Sequence, residues 1–248
     1  YFGWINPNSK AMRAESSRSF FLIEDACQAM LSDWEVPESP SRYMFLSPRK
    51  FGPAPLGGWC SVPTMPDRPS MEVEALAWQS LTARLVRGSY MADTRAPIDP
   101  ATETFYLTML QEVETFLDKH PTSGGLPQVA QDVIAGLDLQ QIAARRRANW
   151  QHLNELLAGR VDTVTHDLPP EVTPLGFVVR LGDRNMVRKK LAARRIFCPV
   201  HRPLPDEVSL QRFPEAASLA ETCLILPIDQ RYGPEDMEEI AEALKCTT

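Results

Sequence analysis

Two apolar runs of four residues, each followed at once by polar residues, do most to limit the folds open to this chain. Phe20-Phe21-Leu22-Ile23 gives way to Glu24-Asp25, and Tyr43-Met44-Phe45-Leu46 stops at Ser47-Pro48. Runs this short fit buried strands better than helices, and a proline cannot continue a central strand. Stretches with helical spacing come next, over Met71 to about Arg87, Thr104 to Lys119 and Val133 to Leu157. In the last, Leu139, Ile142, Trp150, Leu153 and Leu157 recur at roughly helical intervals. Short buried strands followed by helical stretches suggest an α/β fold. Trp59-Cys60-Ser61-Val62, after the loop around Gly57-Gly58, is a third expected strand.

The pair Pro169-Pro170 marks a boundary. The expected division is 1–168, a large domain including the long connecting helix, and 169–248, a smaller α/β or α+β domain. In the second part, Phe177–Leu181, Ile196–Val200 and Leu224–Leu226 read as strands. Arg184–Arg195 and Pro234–Leu244 read as helices, the latter with proline in its first turn. A length of 248 residues supports one large domain, or a large and a small one, without staples. The formal net charge of -6 gives no long-range attraction to nucleic acid. Five cysteines at scattered positions, none in CxxC spacing, read as reduced thiols and predict a cytoplasmic protein. No apolar run approaches the roughly 18 residues of a membrane span. The chain opens on Tyr1-Phe2-Gly3-Trp4 with no initiator Met. That opening reads like the middle of a domain and predicts a segment upstream.

The residues with chemistry stand at the strand ends. Asp25 follows the first expected strand. Ligands of open α/β sheets bind at such carboxyl ends, and a carboxylate there can hold a proton on a heterocyclic nitrogen or cap the next helix. Ser47-Pro48-Arg49-Lys50 follows the second strand. Ser47 can hydrogen-bond a phosphate oxygen, and Arg49 adds positive charge. A lysine near cationic and apolar groups loses its proton more easily and attacks an aldehyde. Strand-end Asp, strand-end Ser-x-x-Lys and Gly-Gly together suit pyridoxal 5'-phosphate. The lysine forms a Schiff base and the aspartate keeps the pyridine nitrogen protonated. Ser-x-x-Lys is also a serine-acylase pattern, but its companions SDN and KTG are absent from the sequence.

Phe21-Leu22-Ile23-Glu24-Asp25-Ala26-Cys27-Gln28-Ala29 resembles the IEDAAQA segment of the DegT/DnrJ/EryC1/StrS aminotransferases. Ser47-Pro48-Arg49-Lys50-Phe51 with Gly57-Gly58 resembles their lysine segment, here with a compact Ser-to-Lys spacing. Arg146-Arg147-Ala148-Asn149-Trp150 resembles their interdomain helix. Phe213-Pro214-Glu215-Ala216 and Leu226-Pro227-Ile228-Asp229-Gln230-Arg231-Tyr232 resemble their C-terminal signature. The resemblance implies a fold-type I, pyridoxal phosphate-dependent sugar aminotransferase, with a mostly parallel sheet in its large domain, and a homodimer whose pockets are completed by the neighbouring subunit. Amino-acid donor and keto-sugar acceptor, nucleotide-linked in the fullest version, are the implied substrates. Asp25 would bind the pyridine nitrogen, Gln28 would lie near the ring hydroxyl and Ser47 would touch the phosphate. Lys50 would form the Schiff base and carry the proton between substrate and cofactor carbons. The resemblance also implies an N-terminal part of the large domain, with a phosphate-binding helix N-terminus, ahead of these 248 residues. A non-catalytic binding module and a sugar dehydratase stand as alternatives; relatives of the latter carry histidine in place of the lysine.

Other residues read more plainly. Cys198-Pro199-Val200-His201 has CxxH spacing, but zinc needs three or four ligands, so no metal is expected. Arg145–Arg147 and the basic run Arg188, Lys189, Lys190, Arg194 and Arg195 read as solvated faces. Trp150 reads as core. Arg231 is a candidate for a substrate carboxylate or phosphate.

Overall fold

The computed structural model describes residues 1–34, 41–61, 67–92, 99–120, 124–200, 204 and 212–246. The chain divides into two compact units. One comprises Asn8–Met30 and Glu35–Leu137, the other Tyr1–Pro7, Leu31–Trp34 and Asp138–Thr248.

The first unit opens with α1 (Ser9–Ser19) and continues with β1 (Leu22–Asp25), β2 (Arg42–Leu46) and β3 (Trp59–Cys60). β1 pairs parallel with β2 from Leu22↔Arg42 to Asp25↔Phe45. β3 returns antiparallel at the other edge of β2. The first strand starts two residues later than the apolar run suggests. It buries Leu22 and Glu24 while Phe21 and Ile23 stay exposed. Glu24 tolerates burial because two arginines meet it: Arg13 of α1, with Nη2 at 2.8 Å and Nε at 3.0 Å, and Arg42 of β2, with Nη2 at 3.3 Å. The triad fastens α1 to the parallel strand pair.

Then come α2 (Met71–Ala92), α3 (Pro100–Lys119) and α4 (Gln128–Ala135). α3 begins four residues before the apolar pattern does, because Asp99-Pro100 is a cap followed by a first-turn proline. The Asp99 carboxylate accepts from the backbone N–H groups of Ala101 at 3.1 Å and Thr102 at 3.3 Å. Leu56, Val73, Leu76, Ala77, Val113 and Val129 form the core of this bundle. Each large apolar side chain removed from water there stabilises it by about 1.5–3 kcal/mol.

The second unit begins with α5 (Leu139–Leu157). The expected single helix over 133–157 is in fact α4 and α5, separated at Gly136-Leu137-Asp138. The Asp138 carboxylate accepts from Gln141 N at 2.9 Å and starts a new helix there. β4 (Asp162–Thr163), β5 (Phe177–Arg180) and β6 (Cys223–Leu226) form a sheet in which both pairings are antiparallel. α6 (Arg184–Ala193), α7 (Pro214–Thr222) and α8 (Pro234–Lys245) complete the unit. Its core holds Trp150, Leu153, Phe177, Leu224, Met237 and Leu244.

The strand expected over Ile196–Val200 is absent. Its Cys198 carbonyl accepts from Arg188 Nε at 3.1 Å, and Ile196 N donates back to Leu191 O at 3.0 Å. Pro199 has no N–H to give a ladder. The segment therefore stays irregular, with one link from Ile225 N to Pro199 O. α6 also ends earlier than expected, because Arg195 turns to φ +61°.

Tyr1–Pro7 is stitched into this second unit. Leu175 N donates to Phe2 O at 2.8 Å, and the buried Ser32 hydroxyl donates to Gly3 O at 2.6 Å. Gly3 has φ +106°, and a Cβ on it would lie 2.3 Å from Thr173 O. Gly3→Ala should therefore cost about 2 kcal/mol or more. That would lower the melting temperature by about 4–8 °C for a chain this size. A calorimetric scan showing an unchanged midpoint would contradict this clasp.

Candidate active-site edge

A parallel pair of strands puts both carboxyl ends on the same side. β1 ends on Asp25 and β2 ends at Leu46, with Asp25 opposite Phe45. Asp25 and the turn after β2 therefore share one edge of the sheet. Ala26 N donates to Phe45 O at 3.0 Å and carries the pairing one residue past Asp25. The Asp25 carboxylate is exposed and accepts from Cys27 N at 3.0 Å through Oδ1. It thus takes a local turn role while its side chain stands at the strand end.

Pro48–Lys50 forms one 3₁₀ turn, with proline at its start and Ser47 as the residue before it. Lys50 N donates to Ser47 O at 3.2 Å, and Phe51 N donates to Pro48 O at 3.1 Å. Phe51 is buried, so the turn is anchored by the residue after the lysine, while the Lys50 side chain is exposed. Gly52 lies against Leu137, whose Cδ1 is 2.8 Å from where a Cβ would sit. Gly57, at φ +96°, supplies the left-handed bend that returns the chain to β3.

Ser47 and Gln28 are both half-buried on this unit, next to the turn and to Asp25 respectively in the chain. Arg49 does not stand free for a phosphate as expected. It pairs with Glu114 of α3. The sequence carried no signal for that contact, because the two residues are 65 positions apart.

Cys27 also belongs to this edge. Burial, a hydrogen bond to Asp25 and the Asp25 charge push its thiol up to about 11, while Lys50 pulls the other way. The fields of both proposed catalytic groups thus reach one thiol. Two units above the ordinary thiol value mean ~100-fold less thiolate at neutral pH. Cys27 should therefore react with iodoacetamide much more slowly than exposed Cys60. Equal labelling rates by peptide mass spectrometry would contradict the arrangement.

The candidate substrate residues of the second unit have other work. Arg231 forms a two-point pair with Asp229, Nε to Oδ1 at 2.7 Å and Nη2 to Oδ2 at 2.8 Å. That pair holds its guanidinium well above its usual range. The Arg145–Arg147 stretch is not a solvated face throughout. Arg146 is buried, donating to Gln230 Oε1 at 3.1 Å and Leu175 O at 3.0 Å. Burial pulls its guanidinium down to about 10, against the attraction of Asp229. Arg147 donates to Pro169 O at 2.8 Å and also to Val172 O. Asn149, also buried, gives its Nδ2 to the carbonyls of Ile228, Asp229 and Tyr232 at 3.0–3.2 Å. These residues lock α5 to the segment after β6. Trp150 is core, 5.3 Å from the Phe177 ring.

Cys198 is buried, and desolvation pushes its thiol up to about 12; His201 lies outside the described residues. No cluster of three or more metal-ligating side chains occurs among the described residues. No described helix is long and apolar enough to cross a membrane.

Strand ends carrying Asp and Lys at one edge, followed by a helical bundle and a small antiparallel sheet, make this an α/β chain. Residues 136–245 match the model of the DegT/DnrJ/EryC1/StrS aminotransferase family. Solved structures share the fold. A DegT DnrJ EryC1 StrS aminotransferase from Brucella abortus is 16% identical, with a TM-score of 0.53 over 99% of this chain and 62% of its own. DesV of S. venezuelae, solved in complex with a ketimine intermediate, is 19% identical, with a TM-score of 0.56 over 98% of this chain and 62% of its own. The sugar aminotransferase CalS13 of Micromonospora echinospora is 15% identical, with a TM-score of 0.53 over 100% of this chain and 65% of its own. The chain thus spans less than two thirds of the length of these relatives. No curated protein sequence matches it.

Proposed function

We propose that this chain is part of a pyridoxal 5'-phosphate-dependent aminotransferase, moving an amino group from an amino-acid donor to a keto-sugar, nucleotide-linked in the natural substrate. The supporting observation is the parallel register of β1 and β2, with Asp25 at one strand end and the Ser47–Lys50 turn after the other. The residues fit the cofactor. An exposed carboxylate and an exposed amine stand on one sheet edge, next to a serine hydroxyl. When bound, the group supplies an electron sink for the carbanion of the amino donor.

Asp25 would hold a proton against the heterocyclic nitrogen, Gln28 would lie near the ring hydroxyl and Ser47 would donate to the phosphate. Lys50 would hold the group covalently and would carry a proton between the reacting carbons. The assembled enzyme is a cytoplasmic homodimer. Its large domain includes residues 1–168 of this chain and its small domain is 169–248.

The direct test is chemical trapping. Borohydride reduction in the presence of pyridoxal phosphate should leave a stable pyridoxyl label, and peptide mapping should find it on Lys50. A label spread over surface lysines, with none on Lys50, would overturn the reading.

A further inference from the structure

α2 has two apolar faces, and its own fold uses one. Val73, Leu76 and Ala77 are buried in the core of the helical bundle. On the other side Met71, Ala75, Trp78, Thr82, Leu85 and Ser89 are all exposed. Their spacing alternates four and three residues from end to end, which is the 3.5-residue period of a seam between two helices. Met71 is 90% exposed, Trp78 58% and Leu85 63%. No charged side chain interrupts the row. Single exposed apolar residues are ordinary on a surface. An exposed row of them at seam spacing fits a surface that meets another helix.

The row is complementary to itself. With a second copy laid antiparallel about a two-fold axis, Met71 comes opposite Ser89, Ala75 opposite Leu85 and Trp78 opposite Thr82. Every level then sets a large side chain against a small one, which is what interdigitation needs. Charge favours the same direction. Glu72 and Glu74 both stand in the first turn of α2. A parallel pair would bring the carboxylates of both copies together. The antiparallel pair puts Glu72 of one copy level with Gly88 of the other, about 24 Å along the axis from the other Glu72. That exceeds the screening length of about 8–10 Å. Near that level the other copy carries Arg87 and, accepting from Tyr90 Oη at 3.2 Å, Glu103. The flank is thus close to neutral, and the apolar row supplies the attraction.

We propose that α2 pairs antiparallel with α2 of a second copy of this chain, along the row from Met71 to Ser89. This deepens the homodimer reading above and rests on it for its two-copy stoichiometry. The row is about 27 Å long. One helix pair of that length falls at the low end of specific interfaces, below about 1,200 Å², so a dissociation constant near micromolar is expected.

Light scattering over a range of protein concentrations measures the assembly. Leu85→Glu, at an exposed position, should keep the wild-type far-ultraviolet spectrum. It should halve the mass of the assembly and raise the dissociation constant by at least about 100-fold. Direction is tested by mixing Ala75→Cys protein with Leu85→Cys protein under mild oxidation. A disulfide joining the two introduced thiols, located by peptide mapping, is expected. Each variant linking only to itself would mean a parallel pair and overturn the proposal. A wild type that stays monomeric, as when another segment or another protein covers the row, would overturn it too. An unchanged mass in Leu85→Glu would overturn the seam and leave a homodimer through a different surface. Lys50→Ala should keep the full mass, so failure of the Schiff-base reading would be seen separately, in the visible band.

Discussion

Lys50→Ala should abolish the visible absorption that appears when pyridoxal phosphate is added to the protein, and should slow amino transfer by at least ~10³-fold. The size of the effect follows from the two jobs assigned to one amine. It attaches the cofactor, and it moves the proton between the two carbons that exchange the amino group. Alanine can do neither. The fold should survive, because the side chain is exposed and the turn is held by Pro48 and the buried Phe51. A far-ultraviolet spectrum identical to wild type would separate lost chemistry from lost structure. An added small amine should restore part of the proton transfer but not the attachment. A variant with the wild-type visible band would sink the assignment outright.

Glu24→Ala should destabilise the protein by about 3–5 kcal/mol. Glu24 is 9% exposed and accepts three hydrogen bonds from Arg13 and one from Arg42, whose side chains are each 12% exposed. Removing the carboxylate takes from Arg42 the anion it faces, and among the described residues the Arg42 Nε has no hydrogen-bond partner. The cost is therefore that of leaving a largely buried cation, Arg42, without its anion, which exceeds the worth of an ordinary surface pair, about 0–1 kcal/mol. Urea unfolding would measure it. Replacing Glu24 and Arg42 together by leucine and methionine should recover much of the loss, because the stranded cation is then gone. A single-variant cost below about 1 kcal/mol would mean the triad is solvated. The effect should reach function as well, since the triad holds the strand that ends on Asp25.

Much of the local architecture was legible in the order of residues. The second apolar run, ended by Ser47-Pro48, became β2 nearly residue for residue. The first became β1 with a shift, because Glu24 is buried by its arginines and Phe21 and Ile23 are not buried at all. Alternation of hydrophobicity cannot foresee a strand that buries its charge. The break between α4 and α5 was written locally, in Gly136 and the Asp138 cap, but the apolar spacing ran through it. Ile196–Val200 has strand composition and lacks a ladder, because an arginine side chain takes a carbonyl that a neighbouring strand would need.

The candidate site divides the same way. That Asp25 and Ser47–Lys50 each stand at the end of an apolar strand was determined by the sequence alone, since where such a run stops is a local property. That the two ends share an edge was decided by tertiary structure, because parallel pairing depends on hydrogen bonds between segments 20 residues apart. Structure also decided the fate of the arginines. Arg49 went to Glu114, Arg231 to Asp229 and Arg146 into the core of the second unit. A charge in a sequence has no partner until the fold supplies one, and burial then determines whether it holds the structure together or stays available to a ligand.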